Sequence, residues 1–289
     1  MKRRLTAMTV ICAALAMPVA ASAQDTQAWR RPFEPFRIIG NIHYVGTEEL
    51  GAFLITTPEG HILLDGGLPE SAVMIQQSIR ALGFAVEDVK YLLNSQAHFD
   101  HVGSLAGLEA ASGAQVLVMA GDEQVVAHGG RGDYLFGDRE MFPPVAVDRV
   151  LRDGDLVSLG GTTLTAHHTP GHTRGSTTWT VTVTEGGRDY RVVFPASTTV
   201  NPGTRLLGAP SYTGIRQDFE RTFAVLERLE PDVFLAAHAS FFGLAGKRAR
   251  QKAGAAVNPF IDPDGYRQLT ARKKRDFEAV LKAQENGRR

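Results

Sequence analysis

The chain has 289 residues and a single cysteine, Cys12, which lies in its N-terminal segment. If that segment is removed on export, the mature chain keeps no thiol, so it has neither a disulfide framework nor a cysteine nucleophile. The sequence also lacks a Gly-x-Ser-x-Gly nucleophile elbow, so nothing in it favours a covalent enzyme intermediate. A mature chain of about 265 residues must be stabilised by its core alone, and it is long enough to bury one.

An excess of charge of either sign is also missing. Lysine and arginine together number 31, as do aspartate and glutamate, so the formal net charge is zero. Without a basic field the chain has no general attraction for nucleic acid or for anionic lipid. We therefore expect a small-molecule substrate and no nucleic-acid partner.

The first residues carry the pattern of a secretory signal. Lys2-Arg3-Arg4 is followed by an apolar run from Leu5 to Ala16 and by Ala21-Ser22-Ala23. This pattern predicts a signal peptide at residues 1–23, a single domain at residues 24–289 and export to the periplasm. A membrane anchor is the alternative, but the run is short and contains two threonines before a proline. We therefore expect no anchor after cleavage, and we expect the mature protein to be a monomer.

Hydrophobic periodicity predicts strands that alternate with helices in two halves of similar size. The predicted strands are 37–45, 52–56, 61–65, 86–93, 115–119, 156–159, 162–167, 176–184, 191–194 and 233–237. The predicted helices are 69–82, 103–112, 215–229 and 266–283, and residues 128–144 form a predicted surface loop. No Pro- or Ser-rich linker separates the halves. The pattern indicates one α/β domain in which two packed sheets are covered by helices.

One short segment concentrates the side chains that bind metals. Gln96, His98, Asp100 and His101 directly follow the apolar run 89–93. An extended strand that ends in a turn would bring these four side chains to one point. Imidazole nitrogen and carboxylate oxygen are the ligands that zinc prefers, whereas burying unpaired polar groups in a core costs free energy. The segment predicts a metal site, and its two adjacent pairs of side chains suggest two metals.

Two further histidines follow predicted strands. His172 lies in a Thr-Pro-Gly-His-Thr turn, and His238 follows the strand 233–237. A single histidine at either position would more often be structural, but side chains at several strand ends converge at one sheet edge. Three strand ends that present histidine therefore favour a metal site. We expect no ligand role for the remaining histidines, which are His43, His61, His128, His167 and, as a support for the turn, His168.

The three motifs together resemble the metallo-β-lactamase superfamily. They are Gln-Ala-His-Phe-Asp-His at 96–101, Thr-Pro-Gly-His-Thr at 169–173 and Ala-His-Ala-Ser-Phe-Phe-Gly at 237–243. The resemblance is closer to the third subclass of zinc β-lactamases and covers nearly the whole mature chain. It implies an αββα four-layer sandwich and hydrolysis of the β-lactam amide of penicillins, cephalosporins and carbapenems, which confers antibiotic resistance.

The resemblance also implies the roles of particular residues. The first zinc would be bound by Gln96, His98 and His172, and the second zinc by Asp100, His101 and His238. Asp100 would in addition orient the attacking water. Ser197 and Thr199 would bind the substrate carboxylate, or they are only polar residues at a strand end. Ser197 stands where other hydrolases of this fold carry a metal-bridging aspartate, which favours a β-lactamase over a lactonase or a thioesterase.

Gln96 departs from the family pattern, in which histidine is usual at this position. An amide oxygen is a neutral and weaker donor to zinc than imidazole. The first zinc site should therefore be the weaker one. Two interpretations stay open, with Gln96 either as a ligand or as a spacer beside a water ligand. An exported zinc-binding protein without catalytic activity is a further alternative.

Overall fold

The computed structural model describes residues 26–287, so the predicted signal peptide and its cleavage site lie outside the described residues. The strands are β1 Phe36–Ile39, β2 Ile42–Tyr44, β3 Phe53–Thr57, β4 Gly60–Leu64, β5 Val89–Leu93, β6 Gln115–Met119, β7 Arg149–Leu151, β8 Leu156–Leu159, β9 Thr162–His168, β10 Thr177–Glu185, β11 Arg188–Phe194 and β12 Val233–Phe234. The helices are α1 Ser71–Ala81, α2 Phe99–Val102, α3 Leu105–Ser112, α4 Glu123–Ala127, α5 Ile215–Leu226, α6 Ala239–Phe242, α7 Leu244–Lys252 and α8 Pro263–Asn286.

The strands form two mixed sheets. The first has seven strands in the order β1-β2-β3-β4-β5-β6-β7, and the second has five in the order β12-β11-β10-β9-β8. In the first sheet β4, β5, β6 and β7 run parallel, so their carboxyl ends meet at one edge. The segment that follows β5 holds the predicted ligands. In the second sheet β11 and β12 are also parallel, so their carboxyl ends lie at the same edge of that sheet.

Side-chain alternation along the central strands explains the layers. On β3, Phe53 and Ile55 pack into the core between the two sheets, whereas Leu54 packs on the opposite face under helices α1 and α3. Successive side chains of a strand point to opposite faces, so a strand covered on both sides is apolar throughout. Helices α5 and α8 pack together through Phe219 and Phe277, and α8 also contacts β12 of the second sheet. The predicted αββα sandwich is confirmed.

The structure differs from the predicted elements in several places, and helices α2, α4, α6 and α7 were not predicted. The predicted strand 37–45 is a hairpin, because Gly40 takes a left-handed φ of +52° between β1 and β2. Residues 86–88 form a 3-10 turn before β5. Strand β7 was not predicted, since only one of its three residues is buried. Among the described residues, no helix combines the length and the hydropathy needed to cross a membrane.

Candidate metal centre

The segment after β5 turns into a short helix instead of continuing as an extended strand. His98 is the N-cap residue of α2, and its carbonyl oxygen accepts hydrogen bonds from the N–H groups of His101 and Val102. Asp100 and His101 therefore lie on a helical turn, which differs from the extended approach predicted from the sequence. The predicted side chains nevertheless reach the same cleft.

Asp100, His101 and His238 form one compact cluster. Their candidate ligand atoms lie within 4.8 Å of one another. Asp100 Oδ2 is 3.2 Å from His101 Nε2 and 3.5 Å from His238 Nε2. Neither ring nitrogen of the fully buried His101 has a hydrogen bond among the described residues. Because an unsatisfied buried imidazole costs free energy, this donor set fits a cation held between the three side chains.

Gln96, His98 and His172 lie beside this cluster, and all three are buried. The ring centroids of His98 and His172 are 4.7 Å apart. His172 Nδ1 is bonded to the carbonyl oxygen of Thr199 at 2.7 Å, so Nε2 is its remaining ring nitrogen. Gln96 Oε1 accepts a hydrogen bond from the N–H of Ser197 at 3.0 Å. A carbonyl oxygen has two lone pairs, so one acceptor position of Gln96 is still available to a metal.

The electrostatics of these groups suit a metal. Burial alone would raise the pKa of Asp100, but His101, His238 and His98 together hold it below its usual value. Burial lowers the pKa of His172 well below its usual value, and the neighbouring His98 lowers it further. An ionised carboxylate and a neutral imidazole are the forms that bind metals.

Each of three histidines has a carboxylate close to one ring nitrogen, and none of these carboxylates was predicted from the sequence. Such partners fix the orientation of an imidazole and raise its basicity as a ligand. The pairs are His101 Nδ1 with Asp65 at 3.7 Å, His98 Nε2 with Asp133 at 3.5 Å and His238 Nδ1 with Glu49 at 3.4 Å. Asp65 has a φ of +62°, a left-handed conformation that is uncommon outside glycine and is often found at functional sites.

Asp122 joins the two loops that carry the candidate ligands. Its carboxylate accepts hydrogen bonds from Ala97 N at 2.9 Å, from Thr173 Oγ1 at 2.6 Å and from Gly175 N at 2.7 Å. Ala97 lies between Gln96 and His98 in the sequence, and Thr173 directly follows His172. Asp122 is 1% exposed, so these bonds are shielded from water. Asp122 was not predicted as part of the site, because no pattern in the neighbouring sequence marks this connection.

The six predicted ligands surround a cleft of about 440 Å³, and all except His101 line its surface. Ser197 and Thr199, the predicted substrate contacts, line it as well. The loop 128–144 contributes Leu135 and Phe136 to the cleft, whereas Phe142 is buried in the core. The loop therefore both covers the cleft and packs against the protein.

The other histidines lie outside the cleft. The rings of His43 and His61 both contact the ring of Phe84. His167 is bonded to a threonine hydroxyl, and His168 Nε2 to the carbonyl oxygen of Arg174 at 2.8 Å, so His168 supports the turn. His128 follows helix α4. None of these side chains lines the cleft.

Comparison with known proteins identifies relatives along most of the chain. A family model described as the metallo-beta-lactamase superfamily matches residues 52–238. The native FEZ-1 metallo-beta-lactamase from Legionella gormanii has a TM-score of 0.86 at 43% identity, over 88% of this chain and 98% of that chain. LRA-12, a class B3 di-zinc metallo-beta-lactamase from an Alaskan soil metagenome, has a TM-score of 0.82 at 38% identity, over 87% of this chain and 96% of that chain.

A curated relative of a different activity also matches. An N-acyl homoserine lactonase from Bacillus sp is 30% identical over 146 residues, which cover 43% of this chain and 54% of the lactonase. The chain thus spans about half the length of the curated relatives that it matches. The matched range 52–238 includes all six predicted ligands and most of both sheets. On this match and on its class B3 structural neighbours, the chain belongs to the metallo-β-lactamase superfamily.

Proposed function

We propose that the protein hydrolyses the β-lactam amide bond of penicillins, cephalosporins and carbapenems with zinc, and that it thereby confers resistance. The observation that carries this proposal is the cleft in which Gln96, His98 and His172 lie beside the Asp100, His101 and His238 cluster, with Ser197 in its wall. Structural neighbours that are named as metallo-β-lactamases support it. The zinc content of the purified protein and its turnover of all three antibiotic classes would test the proposal.

The zinc sites would be formed by Gln96, His98 and His172 and by Asp100, His101 and His238. Bound zinc supplies Lewis-acid catalysis and lowers the pKa of water toward neutrality. The carboxylate of Asp100 lies in the cleft wall, where it accepts a hydrogen bond from the attacking water and directs the lone pair of that water to the lactam carbonyl. The Nε2 atoms of His101 and His238 lie 3.2 Å and 3.5 Å from Asp100 Oδ2, where all three side chains would hold the second zinc.

The rest of the cleft binds the substrate. The hydroxyl groups of Ser197 and Thr199 donate hydrogen bonds to the substrate carboxylate. Trp29, Phe136 and Phe241 provide apolar surface for the substituents of the bicyclic ring and exclude water from it.

A lactone is the second candidate substrate, because the lactonase relative matches 43% of the chain. Ser197 favours the β-lactam, since it stands where other hydrolases of this fold commonly carry a metal-bridging aspartate. Among the described residues that line the cleft, the carboxylates are Asp100 and the exposed Glu140. Turnover of homoserine lactones or thioesters without turnover of any β-lactam would decide for the other hydrolases. Bound zinc without turnover of any substrate would indicate a zinc-binding protein.

We predict that activity of the wild-type protein rises with added zinc and that Gln96→His raises zinc affinity at the first site. The variant adds a third imidazole to that site, and imidazole is a stronger donor than an amide oxygen. The turnover number need not change, because an interaction shared by ground and transition states does not alter it. Competition with a chelator measures the affinity of both sites in each protein.

The structure supplies a control for this experiment. Gln96→Leu removes the amide and the hydrogen bond to Ser197 N without adding a ligand, so it should weaken the first site. Equal affinities in the wild type, Gln96→His and Gln96→Leu would show that Gln96 is a spacer.

We also propose export to the periplasm with cleavage after Ala23, on the sequence pattern of residues 1–23. Intact-mass measurement of protein recovered from the periplasm should place Gln24 at the N-terminus. Recovery there of a chain that begins at Met1 would contradict the proposal. Light scattering of the same sample would test the predicted monomer.

A further inference from the structure

Lys273 lies on helix α8, and its ammonium group reaches a residue in the cleft wall from behind. Its Nζ donates a hydrogen bond to Thr199 Oγ1 at 2.8 Å. The same nitrogen lies 4.3 Å from the centre of the Phe241 ring. Thr199 and Phe241 both line the cleft. The C-terminal helix therefore brings a cation to the back of the surface on which the substrate would lie.

The hydrogen-bonding capacity of the two groups determines the direction of the Thr199 hydroxyl. An ammonium group can only donate, whereas a hydroxyl carries one donor and two acceptor positions. Because the hydroxyl accepts from Lys273, and because no other hydrogen bond engages it within residues 26–287, its own proton is free to point away from α8. The open side of Thr199 is the cleft. Polarisation by the ammonium strengthens this donor.

Apart from the candidate metal centre, the described residues of the cleft wall have no cationic side chain of their own. Within the described part of the chain, none of the lining residues is lysine or arginine. The ion pairs formed by lysines involve Lys247, Lys252 and Lys274, each with a carboxylate, and not Lys273. Burial lowers the pKa of Lys273, and the Asp276 carboxylate only partly offsets this effect. An anion in the cleft would stabilise the charged ammonium.

We propose that Lys273 is a positioning residue for the carboxylate of the substrate. It holds the Thr199 hydroxyl as a donor toward the cleft and supplies a positive charge in addition to that of the candidate metal centre. The backbone of Thr199 meanwhile accepts from His172 Nδ1, so one residue joins the candidate metal centre to the carboxylate contact. This inference rests on the proposed hydrolysis of β-lactams, which carry a carboxylate beside the lactam ring.

Steady-state kinetics on a cephalosporin and on its methyl ester, which lacks the anionic carboxylate, test the inference. Lys273→Met should raise KM for the free acid about 10-fold and leave kcat within about 2-fold, since a charge-assisted contact is lost outside the reacting bond. The KM of the ester should be the same in both proteins. Lys273→Arg keeps the charge and the donors, so it should restore most of the loss.

Thr199→Val provides a second route to the same result if Lys273→Met does not fold. It removes the hydroxyl, keeps the carbonyl bonded to His172 and should raise KM for the free acid alone. The double variant should show no larger rise than either single variant, because both act on one contact.

Lys274→Met is the matched control, since Lys274 is the adjacent residue and pairs with Glu227 at 2.7 Å outside the cleft. It should leave KM unchanged. Equal KM values for wild type and Lys273→Met, or an equal rise on the ester, would overturn the inference and leave the proposed function intact. Wild-type protein that turns over neither form would overturn the proposed function and this inference with it.

Discussion

Replacing His101 or His238 with alanine is expected to reduce β-lactam turnover by more than about 100-fold, because loss of a supporting residue outside the ligand set already costs about 10–100-fold. Each histidine supplies one of the three ligand atoms that lie within 4.8 Å of one another. Removal of either leaves Asp100 with a single imidazole partner in the cluster. The variants should also bind one zinc fewer per chain, measured by metal analysis after dialysis at a fixed free zinc concentration.

His61→Ala is the matched control for both variants. His61 is 7% exposed and packs against Phe84, away from the cleft. Its removal can lower the melting temperature, but zinc content and turnover per folded molecule should stay at the wild-type values. Equal loss of zinc in all three variants would show that the histidines have been assigned to the wrong roles. Retention of full zinc content by His101→Ala would remove it from the ligand set.

Strands that are covered on both faces could be predicted from the sequence with little error. The predicted strand 52–56 is β3 Phe53–Thr57, and the predicted strand 61–65 is β4 Gly60–Leu64. The residues 53–55 of β3 and 62–64 of β4 are all apolar, because cores on both faces of the sheet enclose them. Edge strand β7 carries no such pattern, since two of its three residues are exposed. The helical turn at Phe99–Val102 was also missed, because a segment of four residues is too short to show a helical period.

The candidate ligands could also be predicted, because local patterns in the sequence mark them. Four of them occupy positions 96–101, and the other two lie four residues after the ends of β9 and β12, in turns of the kind where sites are commonly built. The carboxylates that support them come from distant parts of the chain. Glu49 lies 189 residues before His238, and Lys273 lies 74 residues after Thr199. No local pattern records such pairs, because only the packing of the two sheets brings them together.

Asp122→Ala is expected to destabilise the fold and to disorganise the candidate metal centre. The variant leaves the N–H groups of Ala97 and Gly175 buried without an acceptor, at a cost of about 1–3 kcal/mol each. Thr173 Oγ1 loses its bond to Asp122 but keeps a contact with Ser176 Oγ at 2.8 Å. Burial raises the pKa of Asp122, so removal of the carboxylate also relieves part of the cost of burying a charge. We expect a net loss of about 2–4 kcal/mol in the free energy of unfolding.

Asp148→Ala is the control for Asp122→Ala. It measures how much stability is lost when a carboxylate that accepts a hydrogen bond from a strand N–H is removed. Asp148 is exposed and accepts a single backbone hydrogen bond, from Val116 N at 2.7 Å, so its loss should cost about 0.5–1.5 kcal/mol. Urea denaturation of the metal-free proteins measures both values without a contribution from zinc. Chelator competition on the folded proteins should show weaker zinc binding in Asp122→Ala only, because Asp122, unlike Asp148, is hydrogen-bonded both to Ala97 beside His98 and to Thr173 beside His172. If Asp122→Ala is as stable as Asp148→Ala and binds zinc as the wild type does, the two loops are held in place by the sheets and not by this carboxylate.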